Sequence, residues 1–94
     1  MHAPVKLAIV GLGRWAKVLA RAARGSHELE IAAAYSRTPD KRAAFEAEFG
    51  VPGVAELEGL LADPLIRGVI LTVPNEQHWP LAERVAAAGK HVYT

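Results

Sequence analysis

The first apolar run, Val5–Val10, is β-branched and aliphatic without polar alternation, the pattern of a parallel strand covered on both faces. It breaks at Gly11 and Gly13, and a helical period begins at once behind them. Trp15, Val18, Leu19, Ala22 and Ala23 fall at i, i+3, i+4, i+7 and i+8, which predicts one buried helix face ending at Gly25. Arg14, Lys17, Arg21 and Arg24 face away from it. A solvated face is the simplest reading of Lys17, Arg21 and Arg24, whereas Arg14 stands close enough to the turn to reach a phosphate. A second strand is predicted over Leu29–Tyr35, where alanines at 32, 33 and 34 let helices pack closely over the sheet.

Thr38 and Pro39 suit the N-cap and first position of a second helix, Pro39–Phe49, which buries Phe45 and Phe49 and stops at Gly50. Residues 51–54 read as an edge strand, where Pro52 is tolerated because an edge can spare a donor. Leu57, Leu60 and Leu61 mark a short helix ended by Asp63-Pro64. Residues 68–73 form the next buried strand. Behind them Leu81, Ala82, Val85 and Ala86 share a helix face that closes at Gly89, and Pro80 must lie in the first turn, which puts the start of regular helix near Gln77. Residues 91–94 are the last strand. Alternating strands and helices with short connections predict right-handed crossovers and a single α/β domain, with a parallel sheet ordered 3-2-1-4-5.

Composition narrows the functional classes. Ninety-four residues, 51% hydrophobic and 22% charged, make one folded domain at the small end of what supports a core unaided. The formal net charge of +1 gives no broad footprint for nucleic acid or an anionic membrane, so neither partner is expected. Cysteine is absent, which removes thiolate catalysis and zinc-thiolate sites and fits a cytoplasmic location. Met1-His2-Ala3-Pro4 leads straight into the first strand, with no signal peptide or membrane span in view. His2, His27 and His91 show no metal-ligand spacing.

Candidate chemistry concentrates at the glycine turn. Gly11-Leu12-Gly13-Arg14-Trp15-Ala16 follows a strand and opens a helix, as the G-x-G-x-x-G/A fingerprint of a three-layer Rossmann-type open sheet requires. Gly11 permits the sharp turn, Gly13 lets a phosphate approach the backbone, and Ala16 allows close helix-to-strand packing. N–H groups of the first helical turn and the positive end of its dipole would hold a dinucleotide pyrophosphate, making Gly11, Leu12, Gly13, Arg14 and Trp15 candidate contacts. At the end of the second strand an Asp or Glu would select an unmodified ribose, but the chain has Tyr35-Ser36-Arg37-Thr38. Ser36 can donate to a 2′-phosphate, Arg37 can pair with it or stack on adenine, and Lys41 and Arg42 follow one turn later. NADP is therefore expected over NAD, which stays possible. The plainer alternative makes Arg37 a loop residue and Thr38 only a cap.

These stretches, with Thr72-Val73-Pro74-Asn75-Glu76-Gln77-His78 and the later Ala86-Ala87-Ala88-Gly89-Lys90-His91-Val92, resemble the N-terminal domain of the Gfo/Idh/MocA oxidoreductases. The resemblance covers almost the whole chain. The first of these two segments is similar to the family's T-P-N-x-x-H turn, with Val73 inserted between threonine and proline, and the second to its A-G-K-H-V strand entry. It implies binding of NAD or NADP, with Thr72, Pro74, Asn75 and His78 near the ribose and nicotinamide end. On the residues alone, Asn75 serves equally as a cap, and His78 as a helix-start histidine bonded to backbone.

The family usually continues into Glu-Lys-Pro and a large second domain that carries substrate groups. Those features do not occur before Thr94. The expected function is thus the dinucleotide-binding domain of an NAD(P)-dependent oxidoreductase acting on a sugar, polyol or related hydroxyl or carbonyl compound, binding cofactor without catalysing alone. No catalytic acid or base is identifiable. The alternative is a stand-alone nucleotide-binding or sensor module that associates with another chain. An exposed apolar patch on the surface that the second domain would cover suits either reading, with self-association through it as the expected result. A weaker reading keeps the fold and changes the nucleotide to CoA or a flavin.

Overall fold

Strands and helices alternate through the computed structural model, which describes residues 4–73 and 75–93, without the side chains of residues 75–78. The elements are β1 (Val5–Val10), α1 (Arg14–Arg24), β2 (Leu29–Tyr35), α2 (Pro39–Phe49), β3 (Gly53–Val54), α3 (Leu57–Ala62), β4 (Gly68–Leu71), α4 (Asn75–Ala87) and β5 (His91–Tyr93). Every strand pairing is parallel, and the sheet order is β3-β2-β1-β4-β5. The three-layer Rossmann-type architecture is as the sequence predicts.

Alternation along β1 divides the core between the two faces of the sheet. Ala8 and Val10 join Leu57, Leu60, Val69, Leu71 and Val85 beneath α3 and α4. Ile9 joins Leu12, Ala16, Ala20, Ala34, Phe45 and Phe49 beneath α1 and α2. With β1 central and covered on both sides, its unbroken apolar run follows.

The buried face of α1 is displaced from the predicted one. Ala16 and Ala20 are buried, Leu19 is half-buried, and Trp15 and Val18 are exposed at 62% and 40%. A helix close against a sheet selects small residues at the contact, so size overrides the apolar period. The cations of α1 are also more engaged than a solvated face implies. Lys17 and Arg21 reach the Glu48 carboxylate at 3.6 and 3.0 Å, and the Arg24 guanidinium donates to the Glu48 carbonyl at 2.8 Å and lies 5.0 Å from the Phe49 ring centre. They clamp α1 to the end of α2.

Three boundaries differ from expectation. β3 holds two residues rather than four, although the Pro52 carbonyl still accepts from the Ala34 N–H at 3.0 Å. β4 ends at Leu71, because the Thr72 side chain turns back onto the end of β1. α4 starts at Asn75, two residues before Gln77, so Pro80 lies inside the helix and not in its first turn. The N–H that Pro80 lacks would have bonded Glu76, so the loss is confined to the helix opening. Leu81, Ala82 and Val85 pack on the core as predicted, and Ala86 is exposed.

The displaced face of α1 has a direct test in urea unfolding. Ala16→Leu should overpack the helix-sheet contact and cost about 1–3 kcal/mol, whereas Trp15→Ala should change stability by less than about 0.5 kcal/mol.

Candidate functional site

The carboxyl ends of β1, β2 and β4 surround a cleft of about 570 Å³. Ligands of open α/β sheets collect at this end of the strands, beside the point where the strand order reverses. Val10, Gly11, Leu12 and Gly13 form its floor from the end of β1. Tyr35, Ser36, Arg37, Thr38 and Lys41 line it after β2, and Thr72 and Val73 after β4. Leu57, Pro80, Leu81 and Arg84 come from α3 and α4.

The two glycines have different reasons to be glycine. Gly11 has φ +96°, and a Cβ on it would lie 2.9 Å from the Thr72 carbonyl oxygen and 2.8 Å from Val73 Cγ1. A side chain is excluded there both by conformation and by space. Its N–H donates to the Tyr35 carbonyl at 2.9 Å, while the Thr72 hydroxyl donates to the Gly11 carbonyl at 2.6 Å. Gly13 has extended backbone, and a Cβ on it would meet nothing within 4 Å. The fold leaves room beside Gly13 that its own residues do not fill.

Gly13 is the N-cap of α1, so no side chain caps the helix, and the first turn contains no acid. Its opening N–H groups and dipole thus present uncompensated positive potential. Arg14 adds a cation where the dipole disfavours one, an arrangement that an anionic ligand would relieve. Arg14 and Trp15 both sit in this first turn, exposed, and neither lines the cleft.

After β2, the Ser36 hydroxyl accepts from the Thr38 N–H at 3.2 Å, which shapes the loop. Thr38 occupies the predicted N-cap position of α2, with Pro39 behind it, but its side chain makes no cap bond. Arg37 and Lys41 are exposed on the cleft wall. Arg42 instead turns inward and donates to the Ser36 carbonyl at 2.7 Å, holding the loop.

Of the T-P-N-x-x-H segment, Thr72 lines the cleft. Pro74 lies outside the described residues, and Asn75 and His78 are placed only by backbone, in the opening of α4. Arg84, Leu57 and Leu81 were missed as lining residues. Leu57 and Leu81 read as core from their period, and Arg84 carries a legible signal only once Leu81 is placed, since i and i+3 share a helix face. Arg84 pairs with Glu58 of α3. Among the described residues the cleft lining holds three cations, Arg37, Lys41 and Arg84, and no carboxylate. Among those residues no group of three or more His, Cys, Asp or Glu gathers as a metal site, and no helix is long and apolar enough to cross a membrane.

Several oxidoreductases share this arrangement. Residues 5–94 match the model of GFO_IDH_MocA, the oxidoreductase family with an NAD-binding Rossmann fold. An oxidoreductase from Desulfitobacterium hafniense DCB-2, provisionally designated NADPH-dependent, superposes with a TM-score of 0.94 at 45% identity, over 99% of this chain and 27% of its own. GenD2 from gentamicin A biosynthesis, in complex with NAD, gives 0.91 at 27% identity, over 98% of this chain and 26% of its own. Inositol 2-dehydrogenase of Rhizobium meliloti strain 1021 is 29% identical over 95% of this chain and 27% of its own length. The chain therefore spans about a quarter of the length of these relatives.

The contrast between the two glycines is open to measurement in the protein without ligand. Gly11→Ala should lower stability by about 1–3 kcal/mol, the usual cost of forcing a side chain into a sparsely populated conformation. Gly13→Val should unfold at no lower urea concentration than the parent, since its Cβ meets nothing within 4 Å and its side chain reduces the entropy of the unfolded chain.

Proposed function

Because the chain belongs to the Gfo/Idh/MocA family of oxidoreductases, we propose that its cleft binds the dinucleotide of an NAD(P)-dependent enzyme that acts on a sugar, polyol or related hydroxyl or carbonyl compound, with NADP preferred. The observation that carries the reading is the glycine turn. Gly13 leaves empty space in front of an uncapped, acid-free helix start, which is the shape and potential a pyrophosphate needs. The residues present fit that group.

The preference for NADP rests on the wall after β2. Ser36, Arg37 and Lys41 line the cleft there, with no carboxylate among the described lining residues to repel a 2′-phosphate. Arg37 can meet the phosphate in a bidentate pair, and Lys41 adds a point charge. Half-buried Leu81 and Val73, backed by the core residue Leu57, offer apolar surface across the cleft for the adenine ring. At the other end, the family resemblance implies that Pro74, Asn75 and His78 would approach the nicotinamide ribose. When bound, the nicotinamide supplies or accepts the hydride, and the protein's part is to orient it and exclude water. A hydroxyl or carbonyl substrate suits such chemistry, and the inositol dehydrogenase relative supports a polyol class.

Trp15 and Val18 of α1 and Trp79 of α4 are exposed apolar side chains on helices that cover opposite faces of the sheet, each open to a second copy of the chain.

Titration with NADPH and NADH, followed by fluorescence of Trp15 and Trp79 and by calorimetry, should show tighter binding of NADPH. Failure to bind either would remove the reading. Gly13→Val should abolish binding of both, since its side chain would occupy the phosphate's place. Ser36→Asp with Arg37→Ala should shift the affinity ratio towards NADH, and a ratio that does not fall would reject the 2′-phosphate wall. Sedimentation velocity should show concentration-dependent dimers that Trp15→Ser with Trp79→Ser diminishes.

A further inference from the structure

We propose that Thr72 is a positioning residue for the pyrophosphate turn, acting through the Gly11 carbonyl; the inference rests on the dinucleotide reading of the cleft. β4 does not need the Thr72 hydroxyl to join β1, because the Thr72 N–H already donates to the Val10 carbonyl at 2.9 Å. The N–H side of Gly11 is likewise already held, by the Tyr35 carbonyl at 2.9 Å. What a glycine leaves loose is the peptide that follows it, since Gly populates many conformations at little cost.

The Thr72 hydroxyl closes that freedom. It donates to the Gly11 carbonyl at 2.6 Å, with the Val10 carbonyl a more distant partner at 3.3 Å. A peptide unit is planar and trans, so fixing the Gly11 oxygen also fixes the direction of the Leu12 N–H and the path of the chain into Gly13. The helix N-terminus is then set before ligand arrives. Preorganisation of this kind strengthens binding by removing an ordering cost.

The same geometry separates this role from donation to a ligand. A threonine hydroxyl has one proton, and here it is committed to backbone carbonyls of the turn. Its influence should therefore follow the phosphates and not the nicotinamide. Both NADP and NAD would feel it equally.

Calorimetric affinities of three probes separate the roles: NADPH, 2′-phospho-ADP-ribose, which keeps the pyrophosphate without nicotinamide, and 2′-AMP, which has neither. Thr72→Val keeps the shape and removes the donor. It should weaken NADPH and 2′-phospho-ADP-ribose by the same factor, about three- to tenfold for one net hydrogen bond, and leave 2′-AMP unchanged. Thr72→Ser should restore the parent affinities, and Thr72→Ala replaces the valine variant if that does not fold. Loss confined to NADPH would overturn the proposal in favour of contact at the nicotinamide end. Equal loss for all three probes, or none, would also overturn it. A parent chain that binds none of the probes would defeat the dinucleotide reading itself.

Discussion

Three strand ends meet at Gly11, and the meeting leaves no space for a side chain. Its N–H bonds to the end of β2, its carbonyl receives the Thr72 hydroxyl from the end of β4, and the Thr72 backbone lies where a Cβ would stand. With those three contacts made, α1 can begin in only one place relative to the sheet. The cleft, its glycine floor and the direction of the helix dipole all follow from that closure. The rest of the core supports it from both faces, through Ala8 and Val10 on one side and Ile9 and Leu12 on the other.

Gly13 does not share that necessity. A glycine at a helix start where serine would fit gives up roughly 0.5–1 kcal/mol of conformational entropy and a capping side chain worth a few tenths more. Arg14 in the next position works against the helix dipole. Departures from local preference that the fold does not require are expected where a ligand supplies the compensation. Two such departures at consecutive residues, facing the same end of the sheet as the cleft, are harder to attribute to packing than either alone.

Most of the architecture was legible in the sequence because strands and helices here have different periods and sharp punctuation. β1, β2 and α2 fall at the predicted residues, bounded by glycine, proline or a turn. The buried face of α1 was not legible, since hydrophobicity points to Trp15 and Val18 whereas the approach of helix to sheet selects Ala16 and Ala20 for size. The opening of α4 lies two residues earlier than the expectation of Pro80 in the first turn implies, because the bond that Pro80 forfeits is only the one to Glu76. For the site, the turn and the Ser36-Arg37 wall could be read from spacing and residue type. Arg84 could not, because its place in the cleft depends on how α4 packs beside α3, and its pairing with Glu58 joins residues 26 positions apart.

That pairing bears on how the cleft would discriminate among anions. Arg37, Lys41 and Arg84 raise the potential of the same cavity, and close cations repel one another in the absence of a partner. Glu58 offsets the charge of Arg84 from outside the lining, while Arg37 and Lys41 stand exposed after β2. The uncompensated positive charge is thereby biased to the β2 side of the cleft, away from α4. A pyrophosphate at the glycine turn would be held by backbone dipoles common to both dinucleotides. An additional phosphate on the ribose would gain most where the free cations are, so under the proposed reading the ion pair on the far wall would sharpen the site's charge pattern without touching the ligand.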